Sequence, residues 1–191
     1  MTPSPRGRRR LLAVCAALLL AGCAAGPDAA GDGGKAAVKA VGVGDPAGLA
    51  YEALGCASRT EWMAAGLPAG AWDDVTVRRT AADVTGDGVD EVLVQAGCPS
   101  ATSTPASRVV VLDVSGAAPV LLGVLGGDLF FPEATVSTAG ATVTLSGPTV
   151  AGDDPTCCPG HVGTVTYAWD GAHFVVEALT EVPGPALVAT R

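Results

Sequence analysis

From Asp74 onward the chain never sustains an apolar pattern for long, and this fragmentation sets its fold class. Val75 and Val77 alternate with polar partners. Val92-Leu93-Val94, Arg108–Val114, Val120–Leu125, Ala134–Ser137, Ala141–Ser146, Val162–Trp169 and His173–Leu179 then follow as separate runs broken by Gly, Pro and Asp. Short runs rich in β-branched residues and bounded by turn formers read as strands, and several in succession read as an antiparallel sheet. Asp170-Gly171, set between Trp169 and Phe174, marks a hairpin with His173 on one arm. Ahead of the strands, Asp45-Pro46 offers a cap and a first-turn proline, with Leu49 and Leu54 at helical spacing. Glu61–Ala65 reads as a second short turn that stops at Gly66-Leu67-Pro68. Aromatic residues are only 4% of the chain, so the core is built from Val, Leu and Ala. The expected class is α+β: a mainly antiparallel β-sheet domain with an N-terminal helical segment, stapled by disulfides.

The first residues obey a different logic. Arg6, Arg8, Arg9 and Arg10 precede an apolar run from Leu11 to Leu20, and the run ends in Leu20-Ala21-Gly22-Cys23. A basic head, a short apolar stretch and small residues before a cut site make an export signal. The run is shorter than the roughly 20 apolar residues needed to span a bilayer. With Cys at the cut site, the segment resembles the lipobox of bacterial lipoproteins. The resemblance implies cleavage before Cys23, lipidation of Cys23, and residence on the extracytoplasmic face of the cell membrane. The basic head alone explains Arg9-Arg10, so Sec export is the default over a twin-arginine route. Three segments follow: a signal peptide (1–22), a lipidated Cys with a flexible Ala/Gly tether (23–46), and one extracytoplasmic β-rich domain (47–191).

Losing the signal removes four of the eleven basic residues and none of the nineteen acidic ones, which takes the formal charge from −8 to −12. A surface this acidic argues against nucleic acid, whose phosphates demand Lys and Arg. It equally disfavours adhesion to anionic headgroups. The expected partners are the membrane, through the N-terminal lipid, and an envelope protein or ligand.

Outside Cys15 and Cys23 the chain has Cys56, Cys98, Cys157 and Cys158. An even count in an exported chain reads as two disulfides. Joining Cys157 to Cys158 would close a strained eight-membered ring, so each is expected to reach Cys56 or Cys98.

Asp83-Val84-Thr85-Gly86-Asp87-Gly88-Val89-Asp90-Glu91 is the segment richest in site chemistry. Side-chain oxygens fall at positions one, three and five (Asp83, Thr85, Asp87). Gly88 stands at six, the Val89 carbonyl at seven and Glu91 at nine, a spacing shared with calcium loops. The position-twelve Glu of an EF-hand would fall on Val94, within an apolar strand. The loop instead resembles the acidic loops of FG-GAP and VCBS repeats, over about 20 residues and in a single copy. That resemblance implies calcium. A polar turn, with Asp83 and Asp87 capping backbone amides, is the competing reading.

Cys157-Cys158-Pro159-Gly160-His161 also fits a soft-metal site or a redox pair, against which stand the oxidising compartment and the two further cysteines. His161 is expected as an exposed strand-start residue. No GxSxG, SxxK or HExxH motif occurs. The lipobox, the tether, Ala82–Gly88 and Tyr167-x-Trp169-Asp170-Gly171-x-x-Phe174 together resemble small actinobacterial lipoproteins of the LppP/LprE type. The resemblance implies an envelope location and no particular reaction. A non-catalytic binding module, calcium-stabilised at its acidic loop, is the expected function. A hydrolase drawing carboxylates from the acidic loops is the alternative; a cleft lined by two carboxylates and aromatics would favour it, and a flat face with apolar patches would favour the module.

Overall fold

The computed structural model describes residues 45–184 apart from Asp74. Cys23, and with it the signal and nearly all of the tether, lies outside the described residues. The described chain is mostly antiparallel β, with three short helices. These are α1 (Pro46–Ala53), α2 (Arg59–Ala64) and α3 (Ala69–Asp73). Eight strands follow: β1 (Arg78–Ala82), β2 (Glu91–Ala96), β3 (Arg108–Asp113), β4 (Val120–Leu125), β5 (Thr135–Thr138), β6 (Thr142–Thr149), β7 (His161–Trp169) and β8 (Phe174–Pro183). They form two four-stranded meanders, β1-β2-β3-β4 and β5-β6-β7-β8, with every neighbour antiparallel. The run expected at Val75 and Val77 is displaced. The ladder begins at Arg78, where pairing with Gln95 starts, and Val77 instead packs beside helix α1. His173 falls in the Asp170–His173 turn rather than on an arm, and the turn is held by Asp170 Oδ1, which accepts from the N–H groups of Ala172 and His173 (both 2.9 Å).

Alternation sorts the strand residues into layers. Leu93, Val109, Val111 and Leu125 of the first sheet meet Val143, Leu145, Val165 and Tyr167 of the second, with Phe131 fully buried among them. The other face of β2 and β3 carries Val92, Val94, Val110 and Leu112, which pack under Ala50, Leu49, Ala53 and Leu54 of the α1 segment. Helix α1 starts where Asp45 Oδ1 accepts from the Ala47 N–H (3.1 Å) and Pro46 opens the first turn. Helix α2 carries a capping box between Ser58 and Glu61.

Docking α1 on β2 decides the cysteine pairing. The chain leaving α1 passes the end of β2, and Cys56 is bonded to Cys98 with Cα atoms 5.2 Å apart. The expected bridges from Cys157 and Cys158 are therefore corrected. Both are exposed free thiols in the β6–β7 connection.

A polar tie crosses between the sheets. Tyr167 donates its hydroxyl proton to Asp128 and accepts from the Gly126 N–H at 2.9 Å. Gly126 has φ +92°, and a Cβ there would sit 2.9 Å from Leu145 Cδ2, so only glycine lets the backbone approach. Burial, followed by the Asp128 hydrogen bond, pushes the Tyr167 pKa from 10.0 up to about 12. A raised folded pKa stabilises the fold fully below the unfolded value, and that stabilisation is lost as pH climbs through the folded one. Urea melts should show stability falling between about pH 10 and 12 by on the order of 2–3 kcal/mol from this group. Tyr167→Phe should flatten that slope and cost about 1–3 kcal/mol at pH 7, because Asp128 and the Gly126 N–H lose their partner.

Candidate functional site

The acidic loop joins β1 to β2, and its residues divide into a buried and an exposed set. Glu91 is 2% exposed. Its Oε2 accepts from the N–H groups of Val84 (2.8 Å) and Thr85 (3.2 Å), and its Oε1 from the Thr85 hydroxyl (3.2 Å). Beginning β2 with a carboxylate thus closes the loop onto itself from inside. At the rim, Asp83 accepts from the N–H groups of Gly86 (2.7 Å) and Gly88 (2.9 Å), and Asp87 from that of Val89 (2.8 Å). Gly86 and Gly88, with φ +80° and +89°, supply the left-handed steps that turn those amides inward.

In donor chemistry, Asp83, Asp87 and the Val89 carbonyl suit a hard cation, since each carboxylate oxygen keeps a lone pair beyond its one N–H. Glu91 and the Thr85 hydroxyl are engaged with each other. No cluster of three or more His, Cys, Asp or Glu side chains with metal-holding geometry occurs among the described residues.

The Cys157-Cys158 turn has its own organiser. Asp154 Oδ2 accepts from the N–H groups of Ala151 (3.2 Å) and Gly160 (3.0 Å) and lies 2.7 Å from His161 Nδ1. The His161 hydrogen bond, then the backbone N–H groups, hold the Asp154 carboxyl below its ordinary pKa. His161 opens β7, as the sequence suggested, but it is half-buried and paired rather than free.

Two clefts flank the first sheet. One, of about 470 Å³, is lined by Arg78, Gln95, Ser107 and Glu133 among others. Among the described residues that line it, Glu133 is the only carboxylate, and it sits 3.3 Å from Arg78. The other, of about 390 Å³, runs along Leu54, Cys98, Arg108, Phe130 and Thr156 and has no carboxylate.

The surface that sequence reading missed is the outer face of the second sheet. Because Val143, Leu145, Val165 and Tyr167 point into the core, their neighbours point out. The register aligns them in rows across all four strands: Thr135, Ser146, Thr164 and Thr180; then Ser137, Thr144, Thr166 and Ala178. Rows of Thr142, Ala168, Val175 and of Pro148, Val162, Val182 flank them. None of these residues is charged, and successive strands set the hydroxyls about 4.8 Å apart. Thr144 and Thr166 are hydrogen-bonded through their hydroxyls at 3.0 Å. The i, i+2 recurrence of Thr and Ser was visible in the β5, β6 and β7 runs, but the register that makes rows of them was not.

No family model, curated protein or solved structure matches this chain.

Glu91 and Asp87 should separate cleanly in urea melts. Glu91→Ala strands the buried Val84 N–H and the part-buried N–H and hydroxyl of Thr85, and is expected to cost about 3 kcal/mol. Asp87→Ala removes one exposed cap-like bond and should cost roughly 0.5–2 kcal/mol. The reverse order would mean that Glu91 does not hold the loop.

Proposed function

We propose that this protein is a non-catalytic interaction module, held on the extracytoplasmic face of the cell membrane by a lipid on Cys23 and meeting its partner with the outer face of the second sheet. The observation that carries this reading is the contrast between that face and the rest of the chain. A chain of formal charge −8 places no charged residue in these aligned rows of hydroxyls and methyls, and the two carboxylates of β8 lie outside the rows, Glu177 at the bulge and Glu181 opposite Gly163. No described helix packs over it, since the α1 segment covers the first sheet. Val162, Val175 and Val182 are each more than a third exposed along it, and β8 is an open edge of its sheet. Exposed apolar side chains gathered along an unpaired edge mark contact surfaces. A glycosidase-type hydrolase needs two carboxylates across a cleft, whereas among the described lining residues the larger cleft holds Glu133 alone and the smaller holds none.

Anchoring rests on the order basic head, apolar run, Leu20-Ala21-Gly22-Cys23. Among the described residues no helix is long and apolar enough to cross a membrane. Calcium enters as a stiffener of the Asp83–Glu91 loop rather than as part of the contact face.

Three measurements test these statements. Cys23→Ala should abolish acyl labelling and release the protein from membranes; retention with an unchanged N-terminus would refute the anchor. A photo-crosslinking residue at Thr164 or Thr180 in intact cells should give discrete adducts that vanish with Thr144→Lys/Thr166→Lys, while one at Glu52 should not. Equal adducts from both positions would remove the case for this face. Calcium at a hundred times its Kd should add about 2.7 kcal/mol to stability, and Asp87→Ala should erase that increment. A melting temperature unmoved by millimolar calcium would reduce the loop to a polar turn.

A further inference from the structure

The Cys56–Cys98 bond changes what Cys157 and Cys158 can do. Each of the two distal thiols has lost the partners expected for it, and both stay exposed and adjacent. Cys15 belongs to the signal and Cys23 to the lipidation position in the sequence reading, so in the mature chain Cys157 has only Cys158 left within the molecule. We infer that Cys157 and Cys158 are a reversible thiol pair that oxidises to a vicinal disulfide by exchange with an external disulfide, without disturbing the fold around them.

Three features of the turn support this. The loop does not depend on the thiols for its shape: Asp154 gathers the Ala151 and Gly160 N–H groups and His161, Cys158 N–H donates to the Pro155 carbonyl (2.9 Å), and Gly184 N–H donates to the Gly160 carbonyl (2.7 Å). The bond can therefore open and close inside a frame already pinned at both ends. The two cysteines are consecutive in sequence and both are exposed, so an external disulfide can reach either and the second thiol is the nearest nucleophile once the first has reacted. Finally, an eight-membered ring is strained, and strained or exposed disulfides are the ones reduced most readily. Ring strain thus favours an easily reversed bond.

The chemistry balances as ordinary exchange. The Cys157 thiolate attacks one sulfur of the external disulfide, forming a mixed disulfide and expelling the first donor thiolate. The Cys158 thiolate then attacks the Cys157 sulfur and expels the second. The ring gains one S–S bond, the two protein thiols lose their protons to solvent, and the donor disulfide leaves as two thiols.

Oxidised glutathione is the probe. Full-length protein purified under alkylating conditions should carry label on Cys157 and Cys158 and none on Cys56 or Cys98. After treatment with oxidised glutathione both labels should disappear together, the loop peptide should be two hydrogens lighter, and no glutathione adduct should remain. Mild reduction should restore both labels at least tenfold faster than it opens Cys56–Cys98. Cys157→Ser cannot close the ring and should instead trap glutathione on Cys158. Stable adducts on both wild-type cysteines, covalent dimers through the turn, or labels that survive oxidation would each overturn the inference. So would a vicinal bond as slow to reduce as Cys56–Cys98.

Discussion

Strands β2 and β3 are buried on both faces, and the remaining elements are arranged to cover them. Leu93, Val109 and Val111 face the second sheet, and Val92, Val94, Val110 and Leu112 face the α1 segment. The buried positions of the pair are filled mainly by valine. Valine is stiff at χ1 and fits a pleated surface, so little side-chain freedom is lost on burial. The single large aromatic at full burial, Phe131, fills the space between the sheets that the short valines leave.

A two-sided core has a consequence for polar groups caught at its margin. Glu91 begins β2 and is carried inward with it, so its carboxylate must find donors, and the loop it closes supplies them. Tyr167 and Asp128 solve the same problem at the other end of the sandwich, with Gly126 giving its N–H because nothing larger fits. In both places a glycine-bearing turn supplies backbone donors to a buried or half-buried oxygen.

Most strand positions could be read from the sequence because turn residues and alternation are local properties. Runs such as Val120–Leu125 fall where expected, and Arg108–Val114 differs from β3 by one residue. What failed was non-local. The Val75 run has the right alternation, but β2 ends at Ala96 and offers it no strand to pair with, so the ladder starts three residues later, at Arg78. Cysteine pairing followed from helix docking rather than from spacing, so expecting Cys157 and Cys158 to bridge to Cys56 or Cys98 was wrong although Cys56 and Cys98 were correctly included. The acidic loop was legible as a loop. Its division into a rim and an inward staple depended on Glu91 lying in the buried register of β2, which no motif spacing encodes. The hydroxyl rows needed register across three strand pairs at once.

The Cys56–Cys98 bond joins the chain just after α1 to the chain just after β2, across a sequence separation of 42. A mechanical pull applied from the N-terminal side enters at Asp45 and can peel α1 only as far as Cys56. There the load passes through the sulfurs to Cys98 and on toward β3. Helices α2 and α3, β1, the acidic loop and β2 lie within the bypassed loop and carry no covalent tension. Under such a pull the bypassed segments are shielded, and only α1 and the chain beyond Cys98 can be drawn out.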